Sequence, residues 1–127
     1  TQTIENLNSL YDYVFEIITN IEKITEDKRL KQNQLKFQKH LMMYGSEDAI
    51  KIFSTYMQLN YKGELEGRTD LYFFTILASQ LRHDATSDWI SPMEFQRIRI
   101  NDIDETQFRK EINQIIKKHG FRSELML

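Results

Sequence analysis

The sequence has no cysteine, one proline and four glycines in its 127 residues. Without cysteine there is no disulfide and no thiolate chemistry, which fits a reducing compartment. With so few breakers, long stretches can remain helical, and abundant Leu, Ile, Lys, Glu and Gln favour that state. No apolar run approaches the length that spans a bilayer, and no secretory signal is present. The net charge of −2 argues against a dominant nucleic-acid footprint, although a local basic patch is compatible with it. There is no Gly-rich phosphate loop, no Gly-x-Ser-x-Gly and no His-Glu-x-x-His. The chain opens on Thr1 rather than Met, which leaves room for an anchor or targeting segment upstream.

What is present reads as one helical domain. Apolar residues make up 40% and charged residues 28% of the chain, and its length can bury a real core. We expect three parts: an N-terminal helix (1–28) that projects or dimerises, a core (29–105), and a C-terminal helix with tail (106–127). Ile4, Leu7, Tyr11, Val14, Ile18 and Ile21 repeat by three and four, flanked by Leu10, Ile17 and Ile24. The stripe is broader than a coiled-coil seam. It serves either an ordinary core helix or a second copy of the chain. The phase slips at Thr25-Glu26-Asp27-Lys28, where Thr25 can cap a new helix. An unbroken helix over 3–44 is the alternative, and it would be roughly 60 Å long.

The corner Tyr44-Gly45-Ser46 organises the middle. Gly45 is expected at positive φ, ending one helix. Ser46 is expected to cap the next by accepting from Asp48 or Ala49 N–H. Ala49, Ile50, Phe53, Tyr56 and Met57 give that helix its stripe. Gly63 and Gly67 among charges mark a loop, and Thr69-Asp70 reads as the next cap. Leu71, Phe74, Leu77, Ala78 and Leu81 then form the bundle's central helix, ending near Arg82-His83-Asp84. Ser91-Pro92-Met93-Glu94 reads as a capping box with Pro in the first turn, followed by inward Phe95, Ile98 and Ile100. Asp104 or Thr106 caps a last helix with Phe108, Ile112, Ile115 and Ile116 inward, closed by Gly120. The tail from Phe121 to Leu127 is apolar enough to dock.

Candidate chemistry is sparse. His40, His83 and His119 fall on three different helices, so a metal site would need assembly through space. Arg82-His83-Asp84 is explained by cations meeting a helix C-terminus. Asn101-Asp102-Ile103-Asp104-Glu105 lacks the glycine and final glutamate of a calcium loop. Arg97 and Arg99 with Lys117 and Lys118 read as a solvated face. Trp89, in a loop before Pro92, either pins the loop or faces a partner.

Phe37-x-x-x-Leu41-x-x-Tyr44-Gly45-Ser46-x-x-Ala49-Ile50-Lys51, Arg82-x-Asp84, Ser91-Pro92 and Ile100-Asn101-Asp102-Ile103 follow one another over residues 30–105. This order resembles a group of uncharacterised bacterial and phage helical domains with a hydrophobic-Gly-Ser corner, an Arg-x-Asp helix end and an Ile-Asn-Asp-like close. The resemblance implies a domain that follows a membrane segment or long helix, and it implies no enzymatic activity. A Gly just after Arg-x-Asp belongs to that pattern, and here the residue is Ala85.

The expected fold is an all-α bundle of five or six helices with a long N-terminal helix and no sheet. Its core should centre on Leu41, Ile50, Phe53, Phe74, Leu77, Leu81, Phe95 and Ile98. The leading functional expectation is a non-enzymatic helical protein-interaction domain. It would lie in the cytoplasm or at the cytoplasmic face of a membrane, binding a protein or a second copy through residues 4–24. Membrane contact would come only through a segment outside this chain. No catalytic, cofactor or metal residue is expected. A small-ligand or nucleic-acid module using Arg82, His83, Trp89 and Arg97 is the alternative. An enzyme with Asp70, His83, Asp84 and Asp102 converging is the third reading.

Overall fold

A computed structural model describes residues 2–20, 28–99 and 102–126. The described residues form six α-helices: α1 (Gln2–Asn20), α2 (Lys28–Tyr44), α3 (Glu47–Tyr61), α4 (Thr69–Thr86), α5 (Pro92–Arg99) and α6 (Glu105–His119). A 3-10 turn, Ser123–Met126, closes the chain. There is no strand among the described residues, so the all-α bundle stands. Ile21, Ile24 and the Thr25 cap lie outside the described residues, as do Ile100 and Asn101.

α4 is the axis. From Leu71 to Leu81 every residue except Tyr72 is buried, because α1, α3, α5, α6 and the closing turn all pack on it. Fully burying one Leu, Ile or Val side chain contributes about 1.5–3 kcal/mol. The longest interface is with α1, whose Leu7, Leu10, Val14, Ile17 and Ile18 are buried. That stripe is therefore already covered by the chain itself. α2 folds back on α1: the Tyr13 and Phe37 rings stack at 4.4 Å, and Phe37 meets Phe53 of α3 edge-on at 5.1 Å. This return rules out one straight helix over 3–44.

Local chemistry sets most helix ends. Ser46 Oγ accepts from Ala49 N–H at 3.1 Å, as the capping pattern requires. Asp104 does the same for α6, accepting from Gln107 N–H at 3.1 Å. Gly120 ends α6 at φ 69°, and Phe121 N–H reaches back to the Ile116 carbonyl at 3.0 Å. Phe121 and Leu125 then bury themselves, so the tail docks as its composition suggests.

Five expectations need correction. Gly45 is absent from the glycines at positive φ, which are Gly63, Gly67 and Gly120. Its N–H still donates to the Leu41 carbonyl at 2.8 Å, continuing the helical pattern. The turn is made by Ser46, at φ −68° and ψ 160°. Gly45 is needed for space, since a Cβ there would stand 2.6 Å from the Leu41 carbonyl oxygen.

Thr69 is not a cap: Arg68 holds that position without a side-chain bond, and the Thr69 hydroxyl donates to the Glu66 carbonyl. The capping box on α5 half forms. Ser91 Oγ accepts from Met93 N–H at 3.2 Å, but the Glu94 carboxylate is turned to Arg97 at 2.9 Å. α4 runs two residues past Asp84 and ends at Ser87, which takes φ 68° without being glycine.

The fifth correction is Ile98, expected in the core and 82% exposed. α5 turns Met93 and Gln96 inward instead, and Gln96 is fully buried. Residues two apart on a helix point to opposite sides, so burying Gln96 forces Ile98 outward. Of the other expected core residues, Leu41, Phe53, Phe74, Leu77 and Leu81 are buried, and Ile50 and Phe95 pack against the core half-buried.

Candidate functional site

The four residues of the alternative binding reading fall into separate settings. His83 and Trp89 do meet: their rings stack 3.6 Å apart at 10°. The helix end carries His83, the loop before α5 carries Trp89, and the stack pins that loop to α4. In the closing turn, a backbone hydrogen bond and then the one from Ser123 hold the Glu124 carboxyl below the usual range, with smaller contributions from Arg122 and from nearby His83. Arg82 faces Tyr11 of α1, where its charge partly offsets the rise that burial imposes on the Tyr11 hydroxyl pKa. Arg97 is occupied by two carboxylates, Glu94 at 2.9 Å and Glu105 at 3.0 Å. Those partners answer its charge locally.

The convergence that an enzyme reading requires is not met. Asp70 and Asp84 both lie on α4, fourteen residues apart, which places them roughly 21 Å from each other along the axis. Asp84 is engaged in architecture: it accepts from Ser46 Oγ at 2.6 Å and from Gln80 Nε2 at 2.9 Å. Asp70 stands by Tyr56, and burial pushes its carboxyl pKa up. Asp102 is exposed. Among the described residues no group of three His, Cys, Asp or Glu side chains could hold a metal ion.

The Tyr44-Gly45-Ser46 corner is thus a fastening. Ser46 Oγ accepts at the start of α3 while its own proton goes to Asp84 on α4. One hydroxyl caps a helix and ties the corner to the bundle axis. The Ser46–Asp84 link is invisible to local reading because its members lie 38 residues apart, whereas Gln80 and Asp84 are one helical turn apart.

Two grooves flank α2. The first, about 210 Å³, lies against α1 and is polar: Asp12 and Glu16 face Lys36 and His40 across it, over a floor of Tyr13 and Phe37. The second, also about 210 Å³, opens between α2 and α3. Leu41, Met42, Ile50, Phe53 and Met57 line it, with Tyr61 at its far end and Gln38, Ser54 and Gln58 as its polar lining. Leu41 and Phe53 are buried and form its floor, whereas Met42 is 73% and Tyr61 72% exposed. Leu35 and Met43, elsewhere on α2, are each 68% accessible. Apart from Ile98 and Phe15, every large exposed hydrophobic among the described residues belongs to this pair of helices.

Charge separates along the same elements. α1 carries Glu5, Asp12 and Glu16 and no Lys or Arg; α2 carries Lys28, Arg29, Lys31, Lys36 and Lys39 and no Asp or Glu. Periodicity reads the spacing of apolar residues and passes over this contrast, although a count of charge per helix would have found it.

No family model, curated protein or solved structure matches the chain. Among the described residues no helix is long and apolar enough to cross a membrane.

Proposed function

We propose that this protein is a non-enzymatic interaction domain that docks a protein partner on the α2–α3 groove. The observation that carries the reading is the apolar lining there: exposed Met42 and Tyr61 with Ile50 and Met57 over a floor of Leu41 and Phe53, on the helix pair that also exposes Leu35, Met43 and Tyr44. Single exposed hydrophobics are ordinary, but a contiguous patch at a groove marks a contact site. Met42 and Met57 suit that role, since an unbranched thioether repacks around different shapes. Self-association through residues 4–24 is less well supported, because Leu7, Leu10, Val14, Ile17 and Ile18 are already covered by the chain.

The test is a peptide-display selection on the immobilised chain, followed by binding to two variants. Met42→Asp puts a charge on the groove wall. Ile98→Asp puts one on an equally exposed apolar residue of α5. Enriched peptides should lose binding to Met42→Asp and keep it on Ile98→Asp. Peptides indifferent to Met42→Asp would remove the groove as the docking site.

A further inference from the structure

Taking the α2–α3 groove as the docking site, we propose that its occupant is a single amphipathic helix with carboxylates along its flanks. Backbone chemistry selects the helix. Both walls are α-helices whose amides and carbonyls are bonded internally, so no edge is offered to an extended strand. The incoming segment must satisfy its own backbone and present side chains only. Spacing agrees. Leu35 and Met42 stand seven residues apart on α2, about 10 Å along the axis. That is the separation of apolar positions i and i+7 on a docking helix.

Charge selects the acidic flanks. Residues 28–62 hold seven Lys and Arg against two Asp and Glu, while the whole chain holds 17 against 19. One of those two acids, Asp48, already faces Arg122 at 3.3 Å. Lys36 lines the neighbouring groove together with Asp12 and Glu16. Lys39 stands between Leu35 and Met42 in sequence, Lys62 follows Tyr61, and both are exposed. Neither is ion-paired among the described residues. Cations without ion-pair partners thus stand within a helical turn of Leu35 and Met42 and next to Tyr61, and an acidic helix would answer them where a basic one would not. A phosphate-bearing ligand would use the lysines and leave the apolar strip wet. An anionic membrane would meet exposed residues but not fill a groove floored by Leu41 and Phe53.

The experiment uses the full chain and two labelled helical peptides with leucines at i, i+3, i+4 and i+7. One carries glutamates at the remaining exposed positions, the other lysines. Fluorescence anisotropy reads binding, at low and at physiological ionic strength. The acidic peptide should bind at least about tenfold more tightly than the basic one, and salt should narrow the gap. Met42→Asp should abolish binding. Lys39→Glu with Lys62→Glu should reverse the preference while leaving the helical circular dichroism unchanged.

Equal binding of both peptides, still lost in Met42→Asp, would overturn the acidic partner and leave the groove as a docking site. Failure of both peptides would overturn the docking helix. Co-sedimentation of the chain with phosphatidylserine vesicles in that case would replace it with a lipid surface. A concentration-dependent dimer lost in Met42→Asp would make the occupant a second copy, and would also overturn it.

Discussion

Two helix ends in this protein carry glycine for opposite reasons. Gly120 closes α6 at φ 69°, where a side chain would be strained, yet the space around it is open: a Cβ would meet only Lys51 Nζ, at 3.5 Å. Gly45 closes α2 with no left-handed turn, and it is the crowded one. Its Cβ would press on the Leu41 carbonyl at 2.6 Å and on Leu41 Cδ1 at 2.7 Å. The first glycine answers a backbone angle and the second a packing distance. A sequence shows both as a glycine after an apolar stripe, so local pattern cannot separate them.

Substitutions sharpen the contrast, beginning with the largest effect. Gly45→Ala should cost about 1–3 kcal/mol by crowding. Gly45→Asn should not recover it, because tolerance of positive φ is irrelevant there. Urea unfolding checks both. Equal stabilities for Gly45→Ala and the parent would mean that the corner has slack.

Ser46→Ala removes the cap on α3 and the hydrogen bond to Asp84, a loss of about 1–2 kcal/mol. A double-mutant cycle with Asp84→Ala should show clear non-additivity, because the two share one contact. Additive costs would mean that the corner is not tied to α4 through this pair.

At the other kind of helix end, Gly120→Ala should cost about 1 kcal/mol for its φ alone, and Gly120→Asn should recover part of that. Ser87 is the complement: it holds φ 68° without being glycine. Ser87→Gly should therefore stabilise by up to about 1 kcal/mol, read as a rise in the unfolding midpoint.

The smallest effect is a pH dependence next to Gly120. His119 lies between Phe73 and Phe121, and burial followed by Lys118 and Lys51 lowers its pKa. The folded state thus favours the neutral ring. Below the ordinary value near about 6.5 the unfolded chain binds more protons. The contribution of His119 is intact above that pH and is lost as pH falls through the lowered folded value. His119→Phe should keep the ring packing and flatten stability over that window. An unchanged slope would assign the acid sensitivity to other groups.

The candidate surface divides in the same way between pattern and packing. The stripes of α1, α3, α4 and α6 were legible because one-sided burial leaves a period in the sequence. Ile98 misled because α5 is eight residues long, too short for periodicity to choose between the faces holding Ile98 and Gln96. The α2–α3 groove left no period to read. Leu41, Ile50, Phe53 and Met57 belong to the core stripes, and Met42 and Tyr61 are hydrophobics that those stripes do not use.

Sequence alone determined that the chain is an all-α bundle, that Ser46 begins one helix and Gly120 ends another, and that the last helix starts at Asp104 or Thr106. Each of those facts depends on residues within a turn or two of one another. Tertiary structure alone decided that Asp84 receives Ser46, that Gln96 displaces Ile98 from the core, and that Met42 and Tyr61 are left beside one groove. Those outcomes depend on the distance between helices remote in the chain, and no local spacing encodes it.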